Sequence, residues 1–157
     1  MEKLIFDTGM KSYAVNDGGV LRFNPSDPNV YARFVEAADK IKAVEDELVK
    51  KAQAVKVADE AAGEEDVGEE ALKLLKDADK EMKKILGWVF GDLNDFEKIF
   101  AGVNILAVGE NGERLITNFL SAVLPIMEAG AQKCAKDQIG AAVDKAKLNR
   151  AQRRAKK

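Results

Sequence analysis

The side chains that most often do chemistry are scarce in this sequence. It has no histidine and a single cysteine, Cys134. A nucleophilic Ser or Cys needs a base beside it, most often His, so the usual base–nucleophile pairs are missing. One thiol forms no disulfide within the chain, and no Cys/His metal site can be assembled. Cys134 follows Gly130-Ala131 on a helical stretch and reads as a small buried thiol. The 27 Asp/Glu remain. General acid–base work needs two carboxyls whose surroundings separate their roles. Nearly all of these carboxylates sit instead in Lys-rich helical patterns or in an acidic run. That run, Glu64-Glu65-Asp66 with Glu69-Glu70, lacks the alternating oxygen ligands, central Gly and closing Glu of a calcium loop, so it reads as solvated.

Two further patterns touch on nucleic acid. Gly109-Glu110-Asn111-Gly112 spells the Gly-x-x-Gly of backbone-clamping loops. Glu110 has the wrong sign for phosphate, and no Lys-Ser/Thr follows to complete a phosphate loop, so a plain turn is expected. The chain end is basic: residues 133–157 hold nine Lys/Arg and two Asp, net +7, whereas residues 1–132 carry 16 basic and 25 acidic groups, net −9. An acidic body with a basic end suggests an interaction tail. No aromatic residue lies beyond Phe119, so base stacking is not offered and nucleic acid is not the expected partner. The densest apolar stretch runs from Trp88 to Val108. It reads as core or, failing that, as a surface for another apolar chain.

These residues must be positioned by helices. The apolar fraction is 46% and the charged fraction 33%, rich in Ala, Glu, Lys and Leu, which indicates a helical globular chain. At 157 residues one domain is expected. No signal peptide pattern opens it and no run of 18 apolar residues occurs, so neither secretion nor a membrane span is expected. Lys3–Asp7, Ser12–Val15 and Val20–Phe23 have strand character, and Asn16-Asp17-Gly18-Gly19 is a hairpin signal. A two- or three-stranded antiparallel piece over residues 1–24 is expected, resting on a helix. Pro25 and Pro28 stop the ladder, and Asp27 with Pro28 marks a helix start.

The first helix is predicted from Pro28 to about Lys56, with Phe34, Ala37, Ile41, Val44 and Leu48 on one stripe. A flexible loop follows over Ala61–Gly68. The second helix is predicted over Glu69–Phe90, with Leu72, Leu75, Met82, Ile85, Leu86 and Val89 inward. Asp92 is the expected cap of a short helix carrying Phe96, Ile99 and Phe100. Val103–Val108 reads as a helical turn, and Asn111 as a cap for a last helix reaching about Ala151. Leu115, Ile116, Phe119, Val123, Ile126 and Met127 form that helix's buried face, and Pro125 should kink it near Ser121. The expected fold is mainly α: one helical domain of three to four helices over 1–144, with an N-terminal β-hairpin (1–24), and a basic tail over 145–157.

Four stretches carry a resemblance: Lys-Leu-Ile-Phe-Asp-Thr-Gly (3–9), Val-Leu-Arg-Phe-Asn-Pro-Ser-Asp-Pro (20–28), Val-Gly-Glu-Asn-Gly-Glu-Arg (108–114) and Asn-Arg-Ala-Gln-Arg-Arg-Ala-Lys (149–156). Together they make the chain resemble a tail assembly chaperone of long-tailed phages or prophages of Gram-positive bacteria. The resemblance implies a helical, non-enzymatic protein of the host cytoplasm. Such a protein binds the long, helix-forming tape measure protein, keeps it soluble and helps recruit tail tube subunits. It implies no cofactor and leaves room for self-association. The partner-binding residues expected within the apolar stretch are Phe96, Phe100 and Leu106. The alternative expectation is a small structural head–tail or tail component retained in the particle.

Overall fold

The computed structural model describes residues 1–62 and 67–156. Among them the chain is mainly helical, with one two-stranded antiparallel sheet near the N-terminus. The elements are β1 (Lys11–Ala14), β2 (Val20–Phe23), α1 (Pro28–Ala62), α2 (Val67–Phe90), α3 (Phe96–Ile99) and α4 (Leu115–Ala155). Residues 63–66, the centre of the loop expected over Ala61–Gly68, lie outside the described residues.

β1 and β2 pair with Lys11 opposite Phe23 and Ala14 opposite Val20. Leu21 and Phe23 point inward while Val20 and Arg22 point out, the period of two that a half-buried strand requires. The turn between the strands has Asn16 at φ 47°, a left-handed conformation that Asn tolerates. It lies on α3: a Cβ on Gly19 would stand 2.9 Å from the backbone N of Ile99, so a side chain there has no room. Of the two or three strands expected, two form: Lys3–Asp7 is not a strand, and Leu4, Ile5 and Phe6 are exposed.

α1 starts where the sequence predicts. The Asp27 carboxylate accepts the Asn29 backbone N–H at 2.8 Å, and Pro28 opens the helix. It satisfies one of the orphan donors of the first turn. α1 continues to Ala62, past the predicted Lys56, and α2 returns antiparallel beside it. At the end of this pair nearest the α1 start, the Arg33 Nε donates to the Val89 carbonyl at 3.2 Å. Ala37 and Ile41 are buried, as are Met82, Leu86 and Val89. Leu72 and Leu75, expected inward, are exposed.

The core is aromatic where the elements meet. Phe90 of α2 stands edge-on to Phe23 of the hairpin (ring centres 5.1 Å apart) and to Phe119 of α4 (6.1 Å). Phe96 meets Phe119 at right angles at 6.1 Å. Edge-to-face pairs add about 0.5–1.5 kcal/mol each beyond their area. They lock the hairpin, α2, α3 and α4 into one body.

α4 crosses that body along α1. At its start the Arg114 guanidinium meets Glu45 at 2.9 Å. Sixteen residues later Gly130 packs against Pro25, so closely that a Cβ there would lie 1.8 Å from the Pro25 carbonyl oxygen. The two helices are therefore antiparallel over this span. α4 runs unbroken through Pro125 to Ala155, beyond the predicted Ala151, so the basic residues from 145 onward continue the helix. Its buried residues, Ile116, Phe119, Val123, Met127 and Gly130, end at Gly130. Every residue from Ala135 to Lys156 is exposed.

Candidate partner-binding site

The segment between α2 and α4 is held from beneath by polar groups. Asn94 is buried, and its amide acts like one residue of a third strand: Oδ1 accepts the Arg22 N–H at 2.6 Å and Nδ2 donates to the Arg22 carbonyl at 2.8 Å. The outer edge of β2 is thereby paired. Asp95, not the predicted Asp92, caps α3, its carboxylate accepting the Glu97 and Lys98 N–H groups. Those bonds favour the charged form, and the Lys98 N–H above all holds the Asp95 carboxyl below the usual aspartate range.

Below α3 lies a buried ion cluster. Lys83 Nζ donates to Asp79 Oδ2 at 2.8 Å, to Glu97 Oε2 at 3.0 Å and to the Val103 carbonyl at 3.2 Å. That uses all three ammonium protons. The other Asp79 oxygen accepts the Ile105 N–H at 2.8 Å. These bonds tie Glu97, Val103 and Ile105 to α2, so the cluster acts as a clamp. The pair was legible only as another i,i+4 Asp–Lys repeat. Its one distinguishing signal is that Asp79 lies three and seven residues before the inward Met82 and Leu86, on the buried face.

Residues 103–107 form neither helix nor strand. Asn104 anchors them to the Leu75 carbonyl through its side chain, and the carbonyls of Ala107 and Ile105 accept the N–H groups of Leu115 and Ile116. Those bonds replace a side-chain cap at the start of α4, which has none. Asn111, the predicted cap, instead exchanges bonds with Asn118 at 2.7 and 3.2 Å. Gly109–Gly112 is a turn as expected, closed by a bridge between Val108 and Arg114.

This wiring decides the fate of the three predicted partner residues. Phe96 is 5% exposed and Leu106 8%, both in the core, so neither presents a surface. Phe96 is turned in against Phe90 and Phe119. Leu106 is drawn in because its neighbours on either side bond to α2 and α4. Phe100 differs. It is half-buried, its ring tilted 60° to that of Phe119 with centres 5.2 Å apart, and lines a cleft of 450 Å³ between the hairpin turn, residues 99–103 and α4. Val15, Val103 and Ala122 complete its apolar walls, and Val103 is 44% exposed. The strained Ala101, at φ 52°, sits on its rim.

Elsewhere, Cys134 is half-buried rather than buried, because α4 is leaving the body at that point. Among the described residues no group of three or more His, Cys, Asp or Glu is placed to hold a metal ion. No helix among them is long and apolar enough to cross a membrane. Glu64–Asp66 of the acidic run lie outside the described residues. Comparison of the chain with family models, with curated proteins and with solved structures matches none of them.

Proposed function

We propose that this protein is a non-enzymatic assembly chaperone of the phage tail. In this reading it holds apolar helices of the tape measure protein in the host cytoplasm and brings tail tube subunits to them. The observation that carries the reading is the apolar cleft between the hairpin turn and α4, floored by the half-buried Phe100 with the exposed Val103 at its lip. A cleft of this size takes one or two large apolar side chains from one face of an amphipathic helix. The four stretches that resemble such chaperones supply the partner's identity. Two of them border the cleft's supports: 20–28 contains β2 and the start of α1, and 108–114 leads into α4.

Co-expression with the tape measure protein tests this. The expected result is that the tape measure stays soluble with the wild-type chain and precipitates with Val103→Asp, which places a charge at the lip while leaving the core intact. A Val103→Asp protein that folds and still protects the partner places the contact elsewhere. Phe96→Asp is uninformative there, since it buries a carboxylate in the aromatic core and should unfold the protein.

A further inference from the structure

The molecule has two unpartnered ends that point in opposite directions. At one end the α1/α2 pair continues past the Glu45–Arg114 contact, with one face left uncovered among the described residues. There it forms a groove of 380 Å³. The groove floor is Val44, Leu48, Leu74 and Ala78; its rim carries Glu47, Asp77 and Glu81 with Lys51, and Lys84 pairs with Glu81 from outside the groove. At the other end α4 leaves the body after Gly130, and from Ala135 to Ala155 it runs on for about 30 Å as a bare helix. In proteins most helical stability comes from tertiary packing, which this arm lacks, so it gains from a partner.

That bare arm is patterned. At 100° per residue Ala135, Ile139, Ala142, Val143 and Ala146 fall on one narrow stripe. Ile139 is 64% exposed and Val143 45%. Lys136 and Lys147 flank the stripe and Arg150 and Arg153 continue it, while Asp137 and Asp144 fall on the far side of the helix. Small residues with cations beside them match a shallow apolar groove with a carboxylate rim. The rim pairs Glu47–Lys51 (4.0 Å) and Glu81–Lys84 (2.7 Å) are exposed and weak, so they yield readily to new partners.

We infer that the α4 arm of one copy docks in the α1/α2 groove of a second copy, giving head-to-tail association. The contact cannot form within one chain: α4 is antiparallel to α1, so each residue beyond Gly130 carries the arm further from the groove. Between copies, the arm leaves one body along the same axis on which the next body offers its groove. Arm and groove are different surfaces, so the interface is heterologous and each added copy leaves one of each open. This association uses surfaces separate from the Phe100 cleft and stands whether or not that cleft binds the tape measure protein.

Sedimentation of the full-length protein over a concentration series tests the inference. The mass should climb past that of a dimer with concentration and fall back as salt screens the rim. Two variants change only exposed side chains: an arm variant with Ile139→Asp and Val143→Asp, and a groove variant with Glu47→Lys and Asp77→Lys. Each alone should associate at least about tenfold more weakly than wild type. Mixed in equal amounts they should form a dimer and stop, because the intact arm of one still fits the intact groove of the other. A wild-type chain that stays monomeric throughout overturns the inference. So does a mixture that stays monomeric, or a groove variant that associates like wild type, which would mean that arms pair with arms.

Discussion

At the scale of single residues, Lys83 and Asp79 do the most to hold the candidate site together. Each is 7% exposed, and removing one leaves the other charged and buried. Lys83→Ala should therefore cost about 3–5 kcal/mol, read as a lowered denaturation midpoint, whereas Glu97→Gln, at the exposed corner of the same cluster, should cost about 0–1 kcal/mol. Equal losses from the two would mean that the pair is not buried as described. Gly130→Ala makes a second case: its methyl cannot coexist with the Pro25 carbonyl, so α4 must shift off the hairpin, at a cost of about 1–3 kcal/mol or more. Asp95 ties stability to pH. Its carboxyl is held below the usual value of 3.8, so its contribution is present above that pH and is lost as pH falls through the lower folded value. NMR titration should find the Asp95 midpoint below 3.8, and Asp95→Ala should remove the acid-side loss that belongs to the cap.

At the scale of elements, the two long helices differ in what fixes their ends. α1 is started locally, by Asp27 and Pro28, so Asp27→Ala should destabilise by about 0.5–2 kcal/mol in a denaturant titration. α4 is started by tertiary bonds to the carbonyls of Ile105 and Ala107, so no cap substitution at Asn111 should act through α4 itself. Its far end is free of the body. A chain cut after Asp144 loses only exposed residues and should melt within about one or two degrees of the full-length protein. A large drop in melting temperature would show that the arm is part of the folded core.

At the scale of the whole molecule, an acidic body and a basic arm sit at opposite ends of one α1–α4 axis, and that polarity makes salt the natural probe of its associations. The residue string by itself determined what depends on local chemistry. The hairpin at Asn16–Gly19, the start of α1 at Pro28, the apolar stripe through Met82, Leu86 and Val89, and the mainly helical fold all follow from backbone preference and from period, which neighbours in sequence settle among themselves. The lack of histidine and the single cysteine were equally plain. Only the tertiary structure decided which apolar residues are core and which are surface. The stretch 88–108 is the densest apolar stretch of the chain, and its period could not separate Phe96 and Leu106, which are enclosed, from Phe100 and Val103, which line a cleft. That difference comes from hydrogen bonds between residues 26 to 72 positions apart: Asp79 to Ile105, Asn104 to Leu75, Asn94 to Arg22. The same holds for Leu72 and Leu75, whose spacing is right for burial but whose side chains are left exposed. Burial is a property of what packs from elsewhere in the chain, and a pattern along one helix states which face is apolar without stating whether anything covers it.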